Sequence, residues 1–191
     1  MLVINPFKRL LCGLLVVSLF ILGFLSSFAQ NNKLNMFNPK YVSDIDLIEA
    51  MDQLDQNEKL FFETQNKILD TQPAIAAMFG DTELELLSDD EFDLLWFVVV
   101  TLYFAINIKY KVPVIDVEKL ITAEELNWDM LGKDPSQPWR KRLDPFYVNY
   151  PQEDLLSFIE DSFESDEDLQ ITGPAREVLF VSAKSILDNW L

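Results

Sequence analysis

Histidine is absent from the 191 residues, cysteine occurs once, at Cys12, and glycine occurs five times. Each shortage closes a chemistry. Without histidine there is no Ser-His-Asp triad, no H-E-x-x-H zinc helix and no E-x-x-H di-iron bundle site. Cys12 lies in an apolar N-terminal stretch, so the rest of the chain has no thiol for catalysis or for zinc. The glycines, at 13, 23, 80, 132 and 173, never approach within fewer than ten residues of one another, which excludes a glycine-rich phosphate loop. No serine is followed three residues later by lysine, so the Ser-x-x-Lys helix of penicillin-recognising enzymes is missing too. Cations are also scarce: 15 Lys and Arg stand against 32 Asp and Glu, a net charge of −17. Phosphate backbones and anionic membrane surfaces attract clustered cations, so nucleic acid is not an expected partner. No cofactor and no metal are expected.

What is present begins with a targeting pattern. Lys8 and Arg9 precede an apolar stretch, Leu10 to Leu25, and Ser27-Phe28-Ala29 has the small-residue form of a cleavage site. Residues 1–29 read as a secretory signal peptide cleaved after Ala29; an uncleaved N-terminal anchor is the alternative, because Leu10–Ala29 has the roughly 20 residues that spanning requires. Cys12 stands at the start of the apolar stretch rather than at the cleavage point, which speaks against lipid attachment. Residues 1–29 hold two basic and no acidic side chains, so their removal takes the charge from −17 to −19. No Asn-x-Ser/Thr acceptor occurs. A periplasmic or secreted protein of the bacterial envelope is the expectation, folded without disulfides.

After a polar, asparagine-rich tether, 30–42, the sequence predicts one helical domain over 43–191. Ser43-x-x-Asp46 has capping character, and Leu47, Met51, Leu54, Phe61 and Ile68 recur at helical spacing, predicting one long helix to about Asp70. Pro73 starts a short helix that Gly80 closes as a left-handed cap. Ser88-Asp89-Asp90-Glu91 is a capping box with three carboxylates in the first turn. Thr122-x-x-Glu125 opens a helix to Leu131, and Gln137–Tyr147 forms another, interrupted near Pro145. Pro151 is the first residue of the next, and Thr172 or Gly173 starts the last. The predicted fold is all-α: an irregular single-domain bundle of about six to seven helices around a buried central helix, about 89–111.

That central helix contains the longest apolar run, LLWFVVVTLYFAINI at 94–108. Its fifteen residues reach about 22 Å, short of the roughly 30 Å hydrocarbon core of a membrane. Asp93, Phe97, Val100, Phe104, Asn107 and Lys111 fall on one strip, polar at both ends and apolar between, as a bundle axis requires. A second membrane span is therefore not expected.

Candidate site residues are few. Arg140-Lys141-Arg142 is the one basic cluster, and pairing with the protein's own acidic helices is its simplest use. Trp139, Arg140, Arg142, Tyr147 and Tyr150 together form the expected partner or ligand surface, with aromatic rings beside cations and a proline-flanked segment. Glu160 and Glu164, at i and i+4, are a possible acid–base pair but read as a solvated face. Asp166, Asp168, Gln170 and Glu177 match positions 1, 3, 5 and 12 of a calcium loop, yet position 6 is Ile171 instead of glycine, so a calcium site is rejected. No catalytic residue is assigned. The expected function is a non-catalytic, exported, protein-binding module; the alternative is a carrier or sensor of a small apolar ligand held between helices.

Overall fold

A computed structural model of the chain describes residues 40–80, 84–132, 134, 136–165 and 169–191, with Glu85 described by its backbone alone. The expected signal segment, 1–29, the expected tether up to 39, and Asp166 and Asp168 lie outside the described residues. Among the described residues there are eight α-helices and no strand. They are α1 Asp44–Gln56, α2 Glu58–Thr71, α3 Pro73–Met78, α4 Asp89–Lys109, α5 Val117–Leu131, α6 Trp139–Tyr147, α7 Glu153–Ser162 and α8 Gly173–Trp190, with a 3₁₀ turn at Leu84–Leu86.

Three helices start where their predicted caps place them. Ser43 and Asp46 exchange side-chain and backbone hydrogen bonds at the head of α1, and Ser88 and Glu91 do the same at the head of α4. Thr172 Oγ1 accepts from the Ala175 amide to open α8.

Five expectations are corrected. The long first helix is two helices, because Asn57 leaves the helical region (φ −140°, ψ 82°) and its side chain accepts the Leu60 amide to start α2. α5 begins at Val117, capped by Asp116, five residues before Thr122; the Thr122 hydroxyl instead donates back to the Glu118 carbonyl inside the helix. α7 begins at Glu153 rather than Pro151, since the side chain of its N-cap, Gln152, bonds the Val42 amide and the Lys40 carbonyl. Gly80 is not left-handed; among the described residues Gly132, after α5, is the glycine with positive φ, 73°. The tether also ends earlier than predicted, because Tyr41 and Val42 are buried.

α4 is the axis. α1, α2, α7 and α8 pack around it, and Leu95, Val98, Val99, Val100, Leu102 and Ile106 are sealed from solvent. Each such side chain contributes about 2 kcal/mol of transfer free energy. All eight helices supply residues to the same contiguous apolar core. Among the described residues α4 is the one helix long and apolar enough to cross a membrane, and its 21 residues reach about 31 Å. Length alone therefore does not separate span from axis, contrary to the expectation from the fifteen-residue run. Coverage does: the chain's own helices occupy the surface that lipid would need. Lys109 closes the polar end of α4 on Asp46 of α1 at 2.8 Å.

Candidate functional site

α5 packs along α8 and touches α3. Leu120, Asn127 and Leu131 face inward. At about 100° per residue, Val117, Ile121 and Trp128 form a strip beside that buried face. They are 47%, 50% and 36% exposed. Across from them α3 offers small side chains, Ala74 and Ala77, and a shallow groove of about 130 Å³ remains between the helices. Met78, Leu84, Val178 and Ser182 complete it, and Glu124 stands within it. Apolar side chains line most of it, with Glu124 and Ser182 as its polar members.

Two polar assemblies hold α5 in place. At mid-helix, Asn127 Nδ2 donates to Ser185 Oγ at 3.0 Å and to Asp188 Oδ2 at 3.1 Å. Asp188 also accepts from the Tyr150 hydroxyl at 2.9 Å and from Lys184 Nζ at 2.5 and 2.7 Å. Lys184 is buried, with its ammonium 4.4 Å from the centre of the Tyr150 ring. Burial lowers the Lys184 pKa and the Asp188 carboxylate opposes that shift. Burial, then Asp188, pushes the Tyr150 hydroxyl far up, so it stays a donor. Asn149 adopts the left-handed region, φ 57°, in the turn that delivers Tyr150.

The second assembly sits under the C-terminal end of α5. Arg142 Nε reaches the Leu131 carbonyl at 3.5 Å, and Nη2 reaches the Gly132 carbonyl at 3.2 Å, supplying donors to a helix end that lacks them. Arg142 Nη1 binds Glu177 of α8 at 2.6 Å.

The surface expected from sequence is distributed over three self-contained contacts. Arg142 is buried rather than presented to a partner, and its guanidinium lies 5.8 Å from the Trp139 ring centre. Trp139 packs edge-on against Phe180. Arg140 is exposed and binds Glu164 at 2.7 Å, with Glu160 at 3.9 Å; Tyr147 donates to Glu160 at 2.6 Å. Burial and then Glu160 raise the Tyr147 hydroxyl. Tyr150 belongs to the Lys184 assembly, on α8. The basic cluster does pair with the protein's own acids through Arg140 and Arg142.

The carboxylates around Arg140 are closer to an acid–base pair than the sequence indicated. Glu160 is largely covered, and Asp161 is raised to about 6 by burial and by the neighbouring Glu160 and Glu164 charges. Of the calcium-loop residues, Glu177 is bound to Arg142, and Gln170 lies on the exposed segment before α8. Among the described residues no group of three His, Cys, Asp or Glu side chains could hold a metal.

Sequence reasoning missed the groove residues for a definite reason. With the helix started at Thr122, Val117 and Ile121 fall outside it, and their i, i+4, i+11 relation to Trp128 disappears. Lys184 and Asp188, at i and i+4 on α8, were the other readable signal.

No protein-family model, curated protein or solved structure matches the chain.

Proposed function

We propose that the chain is an exported, non-catalytic, single-domain helical protein that works by binding another protein in the bacterial envelope or outside the cell. The groove between α3, α5 and α8 is the contact surface. The observation that carries this reading is the half-exposed row Val117, Ile121 and Trp128 beside a shallow surface groove. Exposed apolar rows of this kind mark surfaces that another molecule covers. A carrier of a small apolar ligand requires an enclosed cavity of about 300 Å³ or more. The groove is smaller and open, and it lies away from α4, which favours a protein partner over a small ligand.

The test is retention from envelope and medium fractions by the wild-type protein and by Ile121→Glu. Ile121 is half exposed, so the variant keeps the fold. The expected result is a partner retained by the wild type and lost by the variant. Equal retention by both proteins, or turnover of a substrate with no partner at all, overturns the reading.

A further inference from the structure

A second row runs along α5 beside the apolar one. At about 100° per residue, Glu118, Glu125 and Asp129 stand on the solvent side of Val117, Ile121 and Trp128, opposite the flank that carries buried Leu120, Asn127 and Leu131. All three acids are exposed, and none is paired with a cation among the described residues. Lys119, the one cation on α5, points away from this edge. Any occupant that covers Val117, Ile121 and Trp128 must bring its own flank against three unpaired carboxylates.

That requirement selects the occupant. An acidic flank meets like charge directly. A second copy of this chain brings the same row of acids and a further −17, so self-association through this face is disfavoured. Lysine or arginine on the flank gives opposite charges at the rim, where they steer encounter and fix orientation. From Val117 to Trp128 the apolar row rises about 16 Å, or three helical turns. We infer that the groove takes a cationic amphipathic helix of about three to four turns, with its apolar face on Val117, Ile121 and Trp128 and its basic flank along Glu118, Glu125 and Asp129. The inference rests on the groove being the binding surface and adds the secondary structure and sign of charge of what binds.

The test uses two designed helical peptides of about fourteen residues with the same leucine row. One carries lysine on its flanks and the other glutamate. Each is titrated into the purified protein near physiological salt. Trp128 is the most exposed of the four tryptophans, so its emission reports occupancy of the groove. The lysine peptide is expected to bind roughly tenfold or more tighter than the glutamate peptide, with a blue shift that Trp128→Phe abolishes. Replacing Glu118, Glu125 and Asp129 together with lysine is expected to reverse the preference. The same change in net charge on α1, Glu49→Lys with Asp52→Lys and Asp55→Lys, is expected to keep it. If both peptides bind alike and Ile121→Glu abolishes both, the groove stands and its charge selectivity is overturned. Reversal by the α1 triple variant also overturns it, because net charge alone then explains the preference. If neither peptide binds, the inference is overturned, and the groove is judged by the retention experiment alone.

Discussion

Arg142 and Glu177 meet beneath the last turn of α5, Nη1 to Oε1 at 2.6 Å, with the arginine buried and two α5 backbone carbonyls on its remaining nitrogens. Removing it leaves the partly exposed Glu177 carboxylate and the Leu131 and Gly132 carbonyls without their donor. Arg142→Ala should cost about 2 kcal/mol in denaturant unfolding, from the lost packing of a buried side chain and its charge-assisted hydrogen bonds. Arg140→Ala, two residues away but exposed, should cost less than about 1 kcal/mol. Equal effects contradict the assignment of the two side chains to inside and outside.

The fold was legible wherever one local signal decided it. Ser88 and Glu91 mark the start of α4, Thr172 marks α8, and the 94–108 run marks the axis. It was illegible where two local signals competed. Leu54 and Phe61 continue one stripe across Asn57, so periodicity hides the break that the asparagine makes. Thr122 and Glu125 imitate a cap inside α5, while Asp116, the true cap, has no partner glutamate three residues on. The groove could not be read because its walls come from α3, α5 and α8, brought together only by packing. Arg142 was readable as a cation but not as a buried one, since its carbonyl partners at 131 and 132 carry no sequence signature.

Asp161 gives a pH-dependent expectation. Its pKa rises from an ordinary 3.8 to about 6. Between those values the folded chain keeps a proton that the unfolded chain has released, so this group's contribution falls as pH rises through the window. Asp161→Asn does not ionise, and from about pH 4 to about pH 7 it should gain on the wild type by about 1 kcal/mol after solvent screening. Asp93 and Asp154 shift the same way and Asp46 the opposite way, so the quantity to measure is the difference between variant and wild type. A difference that is constant with pH contradicts the assignment.

Lys184 and Asp188 should behave as one unit. Lys184→Met leaves a covered carboxylate with only Tyr150 and Asn127 as donors, and Asp188→Leu leaves a buried ammonium against the Tyr150 ring. Each should cost about 2–3 kcal/mol, and the double variant should cost less than the sum by about 1–3 kcal/mol. Additive costs in the double-mutant cycle would falsify the coupling.

Along α4 the cost of substitution should follow burial. Val99→Asp should abolish the cooperative unfolding transition, since an unpaired charge in the interior costs several kcal/mol, comparable with the whole stability of a domain. Asp93→Ala, and Lys111→Ala two residues past the end of α4, both at exposed positions, should change stability by less than about 1 kcal/mol. Thermal or denaturant melts of the three variants decide this. A stable Val99→Asp protein contradicts the placement of that residue.

The α5 face fronts water only if α4 is covered by the chain's own helices rather than by lipid. Residue-resolved amide hydrogen exchange on a chain beginning at Gln30, in detergent-free buffer, tests this most directly. The expected result is a soluble, strongly helical protein whose slowest amides lie within Leu94–Ile106 and exchange only on global unfolding. A chain that needs detergent or partitions into vesicles, or one whose α4 amides exchange before those of α1 and α2, contradicts it.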